Sequence, residues 1–137
     1  MDSMRFIVLL GLLLLSRPAL AWGPQGHEVV AHLAARDLSA PARRAVAQLL
    51  GGDAQTRMVL VSSWADEVRD DRPATSAWHY VNIELDHSSY DARRDCPTGD
   101  CVVAQIARDT AILRSGASAQ AKNEALKFLI HLVGDLH

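Results

Sequence analysis

Three histidines and two aspartates in this 137-residue chain have types and spacings able to hold a metal ion. His131 and Asp135 are four residues apart, so on a helix their side chains share one face, one turn above the other. The flanking residues Phe128, Leu129, Ile130, Leu132, Val133 and Leu136 are apolar on every side, which predicts a buried helix. A buried imidazole and carboxylate cost several kcal/mol unless something satisfies them. A His–Asp hydrogen bond inside a core would do so, and so would a shared cation. Asp66 lies in Ser62-Ser63-Trp64-Ala65-Asp66, beside the charged Glu67, Arg69, Asp70 and Asp71, and taken alone it reads as a solvated carboxylate. His79 sits between Trp78 and Tyr80, where a packed core histidine is the ordinary outcome. His27 follows the loop-forming stretch Gly23-Pro24-Gln25-Gly26. His32, five residues further on, is rotated off the His27 face and, like His87, is expected at the surface or behind a ligand.

Together these residues offer imidazole nitrogen and carboxylate oxygen with no free thiol. That donor set suits zinc in an open, hydrolytic site.

A sixth candidate depends on processing. Arg5 precedes an unbroken apolar run from Phe6 to Leu15, followed by Ser16, Arg17, Pro18 and then Ala19-Leu20-Ala21. This is the pattern of a cleaved secretory signal over 1–21. The apolar run is too short for a helix to span roughly 30 Å of hydrocarbon, so no membrane anchor is expected. Cleavage after Ala21 makes Trp22 the new N-terminus. Its α-amine, with a pKa of about 7.7–8.0, and its own carbonyl oxygen then chelate a cation in a five-membered ring. The alternative is that Trp22 simply anchors the terminus in the core.

The remaining features set bounds. The net charge is −2, one unit more negative once Asp2, Arg5 and Arg17 leave with the leader. Such a balance argues against gripping nucleic acid mainly through a basic surface. It leaves room for a nucleic-acid enzyme whose positive charge is a bound metal. The two cysteines, Cys96 and Cys101, are expected to form a local disulfide in an exported chain.

The elements that would position these groups are helical. Helices are predicted from His27 to about Leu38, from Ser39 as N-cap through Leu50 to Gly51-Gly52, and over 57–70. Two more run from an Asp100 cap to about Ser115, and from near Ser118 through His137. Residues 71–100 read as irregular, with one short strand over Trp78–Ile83. The class is all-α: a compact helical domain with a short irregular or hairpin segment. The last helix runs uncapped to the end of the sequence, which reads as truncation.

In order and spacing, Ala-Trp22-Gly-x-x-Gly-His27, Trp64-Ala-Asp66, Trp78-His79-Tyr80, Cys96-Pro-Thr-Gly-Asp-Cys101 and His131-x-x-x-Asp135-x-His137 resemble the zinc-dependent single-strand nuclease/3′-nucleotidase family. This is the family named after the fungal S-one and P-one enzymes, in the superfamily that includes bacterial zinc phospholipase C. The resemblance covers 22–137, as the N-terminal part of a nuclease domain.

It implies three zinc ions in a cleft. Asp66, His79, His131 and Asp135 match the ligands of one. Trp22 and His27 match those of a second, which shares the carboxylate of Asp135. The third ion's ligands would lie beyond His137, a residue that matches no ligand position. Tyr80 matches an aromatic position of the nucleoside pocket, with core packing as the alternative, and Asn82 is the candidate for a base-edge hydrogen bond. The implied activity is hydrolysis of single-stranded DNA and RNA by metal-bound water, leaving 5′-phosphates, with 3′-nucleotidase activity as an extension. The enzyme would be a secreted or periplasmic monomer. The rival readings are a phospholipase C-type lipid phosphodiesterase, a non-catalytic exported zinc carrier, and a helical interaction domain without metal. The short Trp22–His27 spacing favours the nuclease over the lipase.

Overall fold

The computed structural model describes residues 23–136, and among them every regular element is helical. Helix α1 spans Pro24–Asp37, α2 Ala40–Leu50, α3 Ala54–Leu60 and α4 Trp64–Glu67. A 3₁₀ helix over Pro73–His79 follows, then the short α5, Ala92–Asp95. The chain continues through α6, Val102–Arg114, to α7, Ala119–Leu136. None of these helices is long and apolar enough to cross a membrane. The proposed signal over 1–21, Trp22 and His137 lie outside the described residues.

The boundaries have local causes. Pro24 opens α1, where its missing N–H costs nothing. Ser39 caps α2 through its hydroxyl, which accepts from the Ala42 N–H at 3.3 Å. Gly51, at φ 70°, closes α2 in the left-handed conformation that a glycine enters without strain. The Ser118 hydroxyl accepts from the Ala121 N–H at 3.2 Å at the start of α7.

Helix α7 is the axis of the fold. Leu126 and Ile130 pack into one apolar cluster with Ala31 and Ala35 of α1, Val46 and Leu50 of α2, and Ala54 and Met58 of α3. Phe128 and Leu132 enter a second cluster with Ala65 of α4 and Val102 of α6, flanked by Trp64 and Trp78. A helix apolar on nearly all sides has partners on nearly all sides, as its sequence implies. The buried stripe of α1 is His27, Ala31 and Ala35, spaced by four. Its two alanines let α1 lie close to its neighbours and carry His27 inward.

Three expectations are corrected. The helix predicted over 57–70 is two helices. Asp53 starts α3 early, its carboxylate accepting from the Thr56 N–H at 2.9 Å. The helix then stops at Leu60, and the Ser62 hydroxyl donates back to the Val59 carbonyl at 2.8 Å. Serine hydroxyls of this kind compete with the helical ladder.

The strand predicted over Trp78–Ile83 is absent among the described residues. Trp78 and His79 end the 3₁₀ helix, and Tyr80 is extended but has no neighbouring strand to pair with. Its carbonyl is taken by the Val102 N–H at 3.0 Å.

Asp100 does not cap α6. Its carboxylate accepts from the Trp78 indole N–H, and Cys101 occupies the cap position without a side-chain bond. The disulfide Cys96–Cys101 is formed, with Cα atoms 5.9 Å apart.

Candidate metal centre

Four elements converge where the two apolar clusters meet. Helix α7 contributes His131, with no exposed surface, and Asp135 one turn on. Helix α1 contributes His27, also buried, α4 contributes Asp66, and the end of the 3₁₀ helix contributes His79.

The convergence is atomic. His79 Nδ1 lies 2.9 Å from Asp135 Oδ2 and 3.1 Å from His131 Nε2. His131 Nε2 lies 3.0 Å from the same Oδ2. Asp66 Oδ1 is 3.6 Å from His79 Nδ1 and 3.7 Å from His131 Nε2. Four donors held about 2.0–2.1 Å from one ion at tetrahedral angles stand about 3.3–3.4 Å apart. The nitrogen–oxygen and nitrogen–nitrogen separations lie on either side of that edge, as donors around a zinc-sized ion would.

The break between α3 and α4 serves this site. In a continuous helix the Ser62 carbonyl would accept from the N–H of residue 66. Here the Asp66 N–H goes to the Ser63 carbonyl at 3.1 Å, and the Ser62 carbonyl stands 2.7 Å from His131 Nδ1. A carbonyl only accepts, so Nδ1 carries the proton and Nε2 is the atom turned to the cluster. A backbone carbonyl behind the far ring nitrogen is the usual support of a ligating histidine.

His27 is held differently. Its ring stacks on that of His131, centroids 3.9 Å apart and planes 14° from parallel. Neither ring nitrogen has a hydrogen-bond partner. Nε2 is 3.5 Å from Asp135 Oδ1, beyond good hydrogen-bonding distance. Asp135 therefore turns Oδ2 toward His79 and His131 and Oδ1 toward His27. Donor atoms of His27, Asp66 and His131 form one close group, and those of His79, His131 and Asp135 another. His79 Nε2 is likewise buried without a partner. A buried imidazole nitrogen left unpaired 3.5 Å from a carboxylate oxygen, as His27 Nε2 is, suits completion by a cation.

The electrostatics agree. Burial and the adjacent His131 hold the His27 imidazole below its ordinary pKa, favouring the neutral ring that a metal needs. Burial would raise the Asp135 carboxyl, but hydrogen bonds from His131 and His79 outweigh it and hold it at about 2. Burial works against a charged His131 too, yet the bond to Asp135 pulls its pKa upward. A proton on His131 Nε2 thus takes the place that a cation would occupy.

The remaining candidates are placed as follows. Tyr80 is 54% exposed, directly after His79, so it is not core. Asn82 is exposed on the same extended segment. His32 is exposed, with Nδ1 3.3 Å from the Gln55 side-chain amide. His87 is exposed beside Asp86. Asp66 is 40% exposed, so the solvated carboxylate and the cluster member are one group.

Three contributors escaped the reading of the sequence. Arg69 Nη1 lies 3.5 Å from Asp66 Oδ1 and is half exposed at the mouth of the centre. Its three-residue spacing from Asp66 was the available signal. The Ser62 carbonyl, being backbone, left no signal in residue type. Gly134 did: a glycine inside a buried apolar helix asks for a packing reason, and the reason is His27, whose Nδ1 would lie 2.7 Å from a Cβ at that position.

A family profile described as S1/P1 Nuclease matches residues 22–137. Endonuclease 2 of Arabidopsis thaliana is 35% identical over 127 residues, covering 85% of this chain and 43% of that protein. Nuclease P1 of Penicillium citrinum is 33% identical over 125 residues, covering 84% of this chain and 45% of its own length. Nuclease S1 of Aspergillus oryzae is 28% identical over 130 residues, covering 91% and 45%. The chain thus spans less than half the length of these curated relatives.

Proposed function

Because the chain belongs to the S1/P1 nuclease family, we propose that it carries two of the zinc sites of an exported endonuclease acting on single-stranded DNA and RNA. The observation that carries the proposal is the cluster of Asp66 Oδ1, His79 Nδ1, His131 Nε2 and Asp135 Oδ2, in which the nitrogen–oxygen and nitrogen–nitrogen separations are 2.9–3.7 Å. These four residues would hold one zinc. His27 and the second oxygen of Asp135 would hold another, with the Trp22 amine and carbonyl completing it after signal cleavage. A third ion, if bound, takes ligands from outside 22–137.

When bound, zinc polarises phosphoryl oxygens and lowers the pKa of water to near 7, which suits phosphodiester hydrolysis to 5′-phosphate products and 3′-nucleotide hydrolysis alike. The protein's own residues do the rest. In the metal-free chain hydrogen bonds from two imidazoles hold the Asp135 carboxyl at about 2, so it stands ionised and ready for a cation. Arg69 at the rim presents a guanidinium whose fork matches a phosphate. Exposed Tyr80 offers a stacking face and Asn82 a base-edge partner, and both reach only bases that have left a duplex stack. The signal-like pattern over 1–21 supports secretion or release to a periplasm, with the enzyme acting as a monomer.

The test offers the whole zinc-loaded protein a single-stranded oligonucleotide and, separately, phosphatidylcholine vesicles. Cleavage of the oligonucleotide to 5′-phosphate ends, lost in Asp135→Ala, supports the proposal. Hydrolysis of the lipid alone would make the protein a phospholipase C-type enzyme. Stoichiometric zinc binding with neither activity would make it a carrier.

A further inference from the structure

Each histidine of the metal centre needs something to fix the direction of its ring. His131 has the Ser62 carbonyl, 2.7 Å behind Nδ1, and His27 lies stacked against the His131 ring. His79 turns Nδ1 to the cluster. Its rear nitrogen, Nε2, is buried and has no partner among the described residues. A ligating histidine usually gives that nitrogen to a carboxylate or a carbonyl, which orients the ring. For His79 the orientation has to come from the chain on either side of it.

Both sides are tied to one short loop. Trp78, just before His79, donates its indole N–H to the Asp100 carboxylate. Tyr80, just after it, accepts at its carbonyl from the Val102 N–H at 3.0 Å. Asp100 and Val102 flank Cys101, which is buried and anchored by the disulfide to Cys96. The residues on either side of one ligand are thus bonded to the residues on either side of one half-cystine.

The two ties are unequal. The Tyr80–Val102 bond joins backbone atoms, whereas the Trp78–Asp100 bond rests on a single carboxylate. The other neighbours of the Trp78 ring are the edge of Phe128, with centroids 5.1 Å apart, and the Arg108 guanidinium, 5.5 Å above it. Contacts of that kind let a ring tilt, while a hydrogen bond to a carboxylate is directional and strong. A carboxylate beside the start of α6 also favours that helix through its dipole. That role would show in stability and not in metal affinity.

We propose that Asp100 is a positioning residue for the metal centre: by holding the Trp78 indole it directs the next side chain, His79, toward the ion. The proposal rests on the zinc reading of the cluster, and Asp100 acts through Trp78 and His79 rather than on the ion.

The experiment measures the zinc affinity of the whole protein by competition with a chelator of known affinity, and its urea midpoint without metal. Asp100→Ala should weaken zinc binding about tenfold, the lower end of what removing a ligand's supporting partner costs. Asp100→Asn keeps a carbonyl oxygen for the indole N–H and should recover most of that loss, although the charge is gone. Trp78→Phe keeps an aromatic ring against Phe128 but has no N–H, so it should match Asp100→Ala. The two changes together should weaken zinc binding no more than either alone. A loss in Asp100→Asn as large as in Asp100→Ala would make the effect one of charge and overturn the proposal. Additive losses in the double variant would overturn it too. So would a lowered urea midpoint in Asp100→Ala with zinc affinity unchanged, which would leave Asp100 a helix-end role. Failure of the unaltered protein to bind zinc would instead sink the metal centre, and this role with it.

Discussion

Gly134 of α7 lies directly against the imidazole of His27: a Cβ at that position would sit 2.7 Å from Nδ1 and 3.2 Å from Cε1. The same ring is stacked on His131, one turn back on α7, which limits where it can move. Gly134→Ala should therefore move the His27 ring away from Asp135 and cost about 1–3 kcal/mol, the range for overpacking a tight interior. Urea unfolding of the metal-free protein measures this. The two residues should couple, so that adding His27→Ala to Gly134→Ala restores much of the loss. Strictly additive effects of the two substitutions would refute the proposed contact.

That relationship shows where the sequence was legible and where it was not. Helices α1, α2, α6 and α7 followed from periodicity and from the local signals at Ser39, Gly51 and Ser118, which act over a few residues. His27, Asp66, His79, His131 and Asp135 were legible through their types and order, and the structure brings them together. The break at 61–63 was not legible, because Ser62 and Ser63 are tolerated in a helix and the break is set by a bond from Ser62 to Val59. The 3₁₀ helix at Pro73–His79 was misread because Trp-His-Tyr-Val has strand-forming residue types, and type cannot reveal that no partner strand is near. Asp100 has the right type for a cap, yet a tertiary partner, Trp78, claims it.

Metal binding should register in stability before it registers in activity. A ligand that binds only the folded state stabilises it by about 2.7 kcal/mol at one hundred times its Kd. Zinc should therefore raise the unfolding midpoint of the protein, and Asp135→Asn, which keeps the size of the side chain, should abolish most of that rise. His32→Ala, on the exposed face of α1, should leave it unchanged. A zinc-induced rise that survives in Asp135→Asn would place the ion elsewhere.

Arg69 predicts a separation of binding from fold. Its side chain is 47% exposed, so Arg69→Ala should change stability by no more than about 0.5 kcal/mol and leave zinc uptake intact. If its guanidinium steadies a phosphate, kcat/KM on an oligonucleotide should fall by about 10- to 100-fold, and Arg69→Lys should recover only part, lacking the planar fork. An unaltered kcat/KM would remove Arg69 from the site.

Asp109 makes stability depend on pH with a definite sign. Its carboxyl rises from 3.8 to about 6 on folding because burial disfavours the charged form, with Arg108 opposing and Glu124 reinforcing. A raised pKa means that the native state holds the proton more tightly than the unfolded chain. The stability it contributes is fully present below about pH 4 and is lost as pH rises through 6. The difference between plateaus is about 3 kcal/mol. Asp109→Asn keeps a neutral side chain at every pH, so variant and unaltered protein should unfold at similar urea concentrations near pH 4. Between pH 4 and 7 the curves should diverge, with the variant the more stable at pH 8. Taking the difference between the two proteins cancels the histidines of the metal centre, which titrate in both. A gap that stays constant across this range would mean that Asp109 ionises as freely in the folded protein as in the unfolded chain.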